Sequence, residues 1–426
     1  MKKQMKIKEL NPNWGFKNSD ILILIEPRYH GLKYIKAAQE IGIEVFAFYR
    51  VANFIEIPEG IEYAYIDVFN PNEIAQFIEN DSFFKNRNIA ILPGAEPFVP
   101  IAARVNQILQ KKSILPTVAD SAHDKSKMRT VFSNENVLCP QSRKYLSKKD
   151  ILTDKNVFRY PLVVKPINLI NSIHVKLVYN FEELLEAVDC ILDYKEEEYK
   201  YPIVKGILIE EYIKGTEFSV EILLDKSKIW FASVTEKIKD ELPFFVEIGH
   251  IVPASNITDE ERVLLINAAY TALINIGVNT GPAHVEIMLS KNKPYIIELA
   301  ARIGGGNIMD LVKLAYTVDI PLNVIKQSLG YDLSPVNPKI IQGASINFLY
   351  SKHRGQLLEI RGTEIVRKNK NIIELHIGKK EGDFISELKN SDNRIGHIIA
   401  VGNTNKDAFK NAQWAFNSIE ILTQII

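Results

Sequence analysis

The chain has 426 residues, room for roughly two to four domains. It is 46% hydrophobic and 24% charged, the make-up of a soluble globular protein with several cores. Lys plus Arg equal Asp plus Glu at 52 each, so no overall charge draws the chain to nucleic acid or a membrane surface. Two cysteines, Cys139 and Cys190, with no CxxC and no Cys/His cluster, argue against a disulfide framework and a structural zinc site.

The first residues, MKKQMKIKELNPNW, are basic but have no apolar stretch behind them, and no apolar run approaches the length of a membrane span. The expectation is a cytoplasmic protein without a targeting segment. DILILIEP (20–27) reads as a buried strand, GLKYIKAAQEIG as a helix and IEVFAFYR (43–50) as a second strand. IEYAYIDV (61–68) is a third strand, PNEIAQFIEN a helix, NIAILPGAE (88–96) a fourth strand and PFVPIAARVNQILQ a helix. Strands alternating with helices predict a parallel sheet with crossover helices. The first strand-to-helix turn is EPRYHG rather than GxGxxG, and GxxxxGK[ST] is absent, so neither a dinucleotide fingerprint nor a Walker loop is present. Glu26 and Glu96 fall at the C-terminal ends of strands, where open α/β sheets place ligands, but read more simply as exposed turn glutamates.

Asp124 is placed to cap a helix carrying Lys125, Lys127 and Arg129, a trio that by itself reads as a solvated face. FRYPLVVKP (158–166) is an apolar strand ending in Lys165, a costly place for a lysine without a counter-charge. INLINSIHVKLV follows, a loop without glycine in which Asn171, Ser172 and His174 could hydrogen-bond an anion. NFEELLEAVDCIL (180–192) is a helix with Asn180 as N-cap and Glu183 at the box position. GILIEEYIKGTEFSVEILL (206–224) reads as strand, short connection, strand. In FFVEIGHIVPA (244–254), Glu247 and His250 pair a carboxylate with an imidazole. TDEERVLLINAAYTALINIG (258–277) is a helix with a capping box at Thr258 and Glu261 and a stop at Gly277.

HVEIMLSKNKPYIIELAARIGGG (284–306) reads as two strands joined by SKNKP. A five-residue loop sets Leu289 opposite Tyr295 and Glu286 opposite Glu298. Val285, Ile287, Leu289, Tyr295, Ile297 and Leu299 then form the core face, while His284, Glu286, Met288, Ile296, Glu298 and Ala300 form the other. Two carboxylates directly opposite, with Cβ atoms about 5 Å apart, destabilise a sheet. A bound Mg²⁺, which takes oxygen ligands, would remove that conflict, although both could simply point at water. Arg302 and three glycines follow, and glycine lets backbone approach a ligand closely. NIMDLVKLAYTVDI continues as a helix, its N-terminus favourable to an anion. Beyond it lie strands near ASINFLY and RIGHIIAVG and a C-terminal helix, NKDAFKNAQWAFNSIEIL.

HxE, a turn, then IIExxxRxGGG resembles the metal-binding end of the ATP-grasp superfamily, and ELAAR is most similar to the L-amino-acid ligases. The resemblance implies a mixed α/β and α+β protein: a Rossmann-like N-terminal domain (1–118), a linker helix and small ATP-grasp lobe (119–205), a large lobe with the metal site (206–329) and a C-terminal lobe (330–426). It implies Glu286 and Glu298 as metal ligands, Mg²⁺ with Mn²⁺ as the alternative ion. Ala300 stands where many relatives have a third ligand, asparagine. Lys125, Lys165 and Ser172 would meet ATP phosphates. Glu210 would accept from the adenine amino group, backbone at Glu211 and Ile213 would read the ring edge, and Glu217 would accept from the ribose. Glu247 and His250 would line the amino-acid pocket. Arg302, acting with Glu298 in catalysis, would hold the transferred phosphoryl group, and Gly304, Gly305 and Gly306 would offer backbone N–H groups.

The activity so implied is ATP-dependent joining of two L-amino acids through an acyl phosphate, with amino acids as partners rather than nucleic acid or membrane. The resemblance also allows a homodimer. A bicarbonate-using carboxylase of purine or biotin type is the alternative enzyme, disfavoured by the ExGHxxPA stretch. A non-catalytic nucleotide-binding protein is the alternative of another class, supported by the glycine-free loop and Ala300.

Overall fold

The computed structural model describes residues 15–28, 30–50, 57–196, 201–239 and 243–425. The basic N-terminal stretch and most of the charged segment EEEYK (196–200) lie outside them. β1 (Asp20–Ile25), β2 (Glu44–Tyr49), β3 (Glu62–Tyr65) and β4 (Asn88–Pro93) form a parallel sheet in the order β3-β2-β1-β4. Residues 21–25, ILILI, are apolar throughout because both faces of the strand are covered. Leu22 and Leu24 pack with helix Gly31–Ile41, while Ile21, Ile23 and Ile25 join Phe46, Phe48 and Phe98 on the opposite side.

A second sheet, β5 (Ser142–Tyr145), β6 (Leu162–Pro166), β7 (Lys176–Val178) and β8 (Ile207–Glu211), is antiparallel in the order β5-β8-β6-β7 and is backed by helix Phe181–Asp193. That helix begins as expected: Asn180 accepts from Glu183 N–H. The reciprocal bond from Glu183 goes to the N–H of Tyr179.

The third sheet organises the rest. Its strands are β9 (Thr216–Asp225), β10 (Lys228–Lys239), β11 (Glu247–Val252), β12 (Gly281–Ser290), β13 (Lys293–Ala300) and β14 (Gly343–Leu349). After β15 (Gly355–Arg361), the chain adds β16 (Ile372–Ile377) to the same sheet, then β17 (Phe384–Ile385), β18 (Gly396–Gly402) and β19 (Glu420–Ile425). The eight-stranded order is β13-β12-β9-β10-β11-β14-β18-β16, so this sheet runs across residues 329 and 330. β15, β17 and β19 form a small sheet of their own. Helix Asp259–Ile276, with the expected capping box, covers one face of the large sheet, and helices Ile308–Tyr316 and Ile320–Ser328 cover the other.

Three expectations are corrected. The helix after the glycines ends at Tyr316, where Thr317 takes a left-handed conformation, and a second helix begins at Ile320. The C-terminal helix ends at Asn417, and its apolar tail becomes edge strand β19. The β12–β13 hairpin turns tightly on Lys291 and Asn292, both left-handed (φ 50° and 59°). Leu289 therefore faces Pro294, and Met288 faces Tyr295. A bulge then skips Ile297 and restores Glu286 opposite Glu298. As a result Ile296 enters the core at 1% exposure and Ile297 lines the cavity, the reverse of the alternating pattern.

The tight turn yields a test. Lys291→Asn with Asn292→Gly should stabilise the chain by about 0.5–1 kcal/mol, since these residues accept positive φ more readily. A denaturant midpoint that does not rise would contradict the turn.

Candidate active site

Sixteen side chains or glycines singled out above line one cavity of about 400 Å³ between the three large elements of the fold: Glu96, Lys125, Lys165, Ser172, Glu210, Glu211, Ile213, Glu217, Glu247, His250, Glu286, Glu298, Arg302, Gly304, Gly305 and Gly306. At one end Lys125 begins helix Lys125–Asn134, whose N-cap Asp124 accepts from the N–H groups of Ser126 and Lys127. Lys127 is exposed, but Lys125 and Arg129, one turn apart, are each 4% exposed, so the expected solvated face is half wrong. Lys125 Nζ donates to Leu169 O (2.9 Å) and meets Glu298 (3.0 Å). Burial opposes its charge, yet Glu298 and Glu96 hold its pKa above the ordinary value.

Lys165 ends β6 beside β8, and its counter-charge is Glu210 at 2.6 Å. Glu210 also accepts from Arg129 Nε at 2.7 Å. Its carboxylate, 3% exposed, thus serves two cations. The carboxylate that the resemblance assigns to the adenine amino group therefore lines the cavity already paired with Lys165 and Arg129. Glu211 turns its carboxylate to Gln141 N–H, and its own N–H donates to Gln141 O. β8 and β9 belong to different sheets, so the Tyr212–Gly215 connection links the second sheet to the third.

The cavity floor is built around a residue absent from the sequence-based assignment. Lys237 on β10 lies 3.1 Å from Glu217, 2.6 Å from Glu247 and 2.5 Å from Glu286. Its side chain is 1% exposed. These acids come from β9, β11 and β12. Burial disfavours the charges of Lys237, Glu247 and Glu286, but their mutual attraction wins, raising the Lys237 pKa and lowering those of Glu247 and Glu286. Glu217 also meets Lys239. His284 donates to Glu221 (2.8 Å) and approaches Glu286 at 3.3 Å. Burial would lower its pKa, but Glu221 raises it to about 9.

The carboxylate oxygens of Glu217, Glu247 and Glu286 lie within 4.8 Å of one another. An all-oxygen acidic set suits a hard divalent cation. Glu286 stands in both this group and the expected pair, whereas Glu298 faces Lys125.

Arg302 donates to Glu96 through Nε (3.0 Å) and Nη2. Glu96 is 6% exposed and Glu26 is 0% exposed, so neither is the exposed turn residue expected. Arg302 holds the Glu96 pKa down to about 2 against the effect of burial. His250, 1% exposed, has no hydrogen-bond partner for either ring nitrogen among the described residues, and burial lowers its pKa to about 4. His30, another residue missed from sequence, lines the same cavity, and its Nε2 has no hydrogen-bond partner among the described residues. In the loop over the cavity, Asn171, Ser172 and His174 all have positive φ (60°, 57° and 56°), conformations that glycine would adopt at less cost. Asn171 is held by Asp392 at 2.9 Å.

Two of the three glycines are sterically required. A Cβ on Gly304 would lie 2.5 Å from Glu221, and one on Gly306 (φ 57°) 2.7 Å from His250, whereas nothing lies within 4 Å of one on Gly305. Gly304→Ala and Gly306→Ala should therefore lower stability by about 1–3 kcal/mol, with Gly305→Ala near neutral. Equal denaturation midpoints for the three variants would refute this geometry.

With the geometry in place, comparison with known proteins is informative. Residues 158–310 match an ATP-grasp domain and residues 347–424 an L-amino acid ligase C-terminal domain 2. The chain is 25% identical over 405 residues to an uncharacterized protein of Sinorhizobium fredii, covering 94% of this chain and 82% of that one. It is 26% identical over 295 residues to alanine–anticapsin ligase of Bacillus subtilis, covering 64% of this chain and 60% of that enzyme. Its fold matches an L-amino acid ligase from Bacillus licheniformis with a TM-score of 0.84 at 22% identity, over 96% of this chain and 100% of that one. Among the described residues, no helix is long and apolar enough to cross a membrane.

Proposed function

As an ATP-grasp protein carrying an L-amino acid ligase C-terminal domain, this chain has the architecture of a C–N bond-forming ligase, and we propose that it joins two L-amino acids into a dipeptide at the expense of ATP. One observation carries the reading. Glu247, His250 and Gly306, matched to the amino-acid side of the family, share a cavity with Lys125, Lys165, Glu286, Glu298 and Arg302, matched to the phosphate side.

The chemistry proceeds in two steps. An oxygen of the donor carboxylate attacks the γ-phosphorus, the bond to the β,γ-bridging oxygen breaks, and ADP leaves. Lys125 and Lys165, held in place by Glu298 and Glu210, offset charge on the phosphate oxygens. Glu286 and Glu298, with Glu217 and Glu247 beside them, are the oxygen donors that would hold Mg²⁺, which neutralises phosphate charge when bound. The acceptor amine then attacks the acyl carbon, the C–O bond to the phosphoryl group breaks, and inorganic phosphate departs. Arg302 is fixed by Glu96 where a guanidinium can stabilise oxyanion charge. His250, kept neutral by burial, can accept a proton from an amine, which a charged imidazole cannot.

Phosphate release from ATP and Mg²⁺ across a matrix of L-amino acids, alone and in pairs, tests the proposal. Release with particular pairs, together with a dipeptide by mass spectrometry, is expected. Silence across the matrix with activity on bicarbonate would replace the dipeptide reading by a carboxylase.

Glu298→Gln should nearly abolish turnover while the fold survives. Arg302→Ala should cost about 100-fold or more in kcat with a smaller change in KM for ATP, because its contribution grows in the transition state. Equal, mild losses from both changes would count against these roles.

A further inference from the structure

Among the described residues, six lysine and arginine side chains line the cavity: Lys33, Lys125, Lys165, Lys239, Arg302 and Arg394. Five have a carboxylate oxygen within hydrogen-bonding range. Asp310 serves Lys33 (2.6 Å), Glu298 serves Lys125 (3.0 Å), Glu210 serves Lys165 (2.6 Å), Glu217 serves Lys239 and Glu96 serves Arg302. Arg394 differs. Its nearest carboxylate partner, Glu247, is 3.6 Å away and already bound to Lys237 at 2.6 Å. Arg394 Nη2 donates to the main-chain oxygen of Glu247 at 2.7 Å, and its Nε is buried without a partner among the described residues.

The side chain is nonetheless rigidly placed. Its guanidinium carbon stands 3.6 Å above the centre of the Phe348 ring, and the side chain is 15% exposed. Its separation of 3.6 Å from Glu247 makes it the most loosely paired lysine or arginine lining the cavity among the described residues. An anion arriving there gains a charge-assisted contact without first displacing a bound carboxylate. Arg394 stands just before β18, and Phe348, on β14, meets the His250 ring edge-on at 5.5 Å. Arg394 thus belongs to the Glu247–His250 wall.

Joining two amino acids presents two α-carboxylates. The donor's is consumed at the phosphate end. The acceptor's remains an anion from binding to product, and a static guanidinium suits it. Resting on the function proposed above, we propose that Arg394 receives the α-carboxylate of the acceptor amino acid, with Phe348 setting the guanidinium plane, and so restricts the enzyme to amines that carry a carboxylate. A planar fork binds a carboxylate through two parallel N–H donors. An amine lacking that group would leave the fork unpaired.

The test compares an L-amino acid acceptor with its primary amide, at one donor and saturating ATP, in the native enzyme and in Arg394→Gln and Arg394→Lys. The native enzyme should favour the free acid by about 100-fold in kcat/KM. In Arg394→Gln the preference should fall to within about threefold, through a higher KM for the acid. KM for ATP and trapping of the donor's acyl phosphate by hydroxylamine should be unchanged. Arg394→Lys, a point charge without the fork, should fall between the two and serves if the glutamine variant does not fold. Retained preference for the acid in either variant, equal to that of the native enzyme, overturns the assignment. A raised KM for ATP instead identifies the anion as a phosphate and also overturns it. A native enzyme that forms no amide with any pair refutes the underlying function, and this is read before any variant is made.

Discussion

The ammonium of Lys237 is the interaction on which the cavity depends. It fastens together carboxylates from three strands of one sheet, with its own strand between two of them. Without it, Glu217, Glu247 and Glu286 would crowd their charges within 4.8 Å of one another at low exposure. Removing one partner from such a buried set costs on the order of 3–5 kcal/mol, because the remaining charges are left uncompensated. The same arrangement favours the ionised forms of Glu247 and Glu286. Any divalent ion drawn to these oxygens competes with a tethered one.

Charge compensation also joins the lobes. Glu96 lies just past β4 of the first sheet, and Arg302 just past β13 of the third, so their ion pair pins the N-terminal domain to the large lobe. Arg129 and Glu210 tie the linker helix to the second sheet, and Arg129 reaches on to Ile297 O in the third. The bulge that exposes Ile297 to the cavity thus lies beside that contact. The glycine-free loop is fastened at its far side by Asn171 to Asp392 of the C-terminal lobe. Three of its residues hold left-handed conformations that side chains disfavour, and such strain persists only where neighbouring contacts over-determine the backbone. No single lobe encloses the cavity; each contributes a wall.

This arrangement gives the two ends of the cavity different electrostatic characters. Lys125 and Lys165 are held by single carboxylates near the loop, ready for a ligand carrying several negative charges. At the other end Glu247 is bound by Lys237, His250 is neutral and Arg394 is only loosely compensated. A small zwitterion fits the second environment better than the first.

Much of this was legible in the sequence because it follows from short-range rules. Period-two and helical patterns located β1, β2, β4 and the capped helix Asp259–Ile276, and motif spacing brought sixteen residues of the cavity to attention. Local pattern misled where a local irregularity intervened. A bulge exchanged Ile296 and Ile297, and the apolar end of a helix was recruited as edge strand β19. What sequence could not decide is which charge meets which. Arg129 and Glu210 are 81 positions apart, and Arg302 and Glu96 are 206 apart. Sheet order and helix packing alone bring them together. The residue types of the site were thus determined by sequence; their pairing was decided by tertiary structure, because burial forces each charge to take whichever partner the fold places within reach.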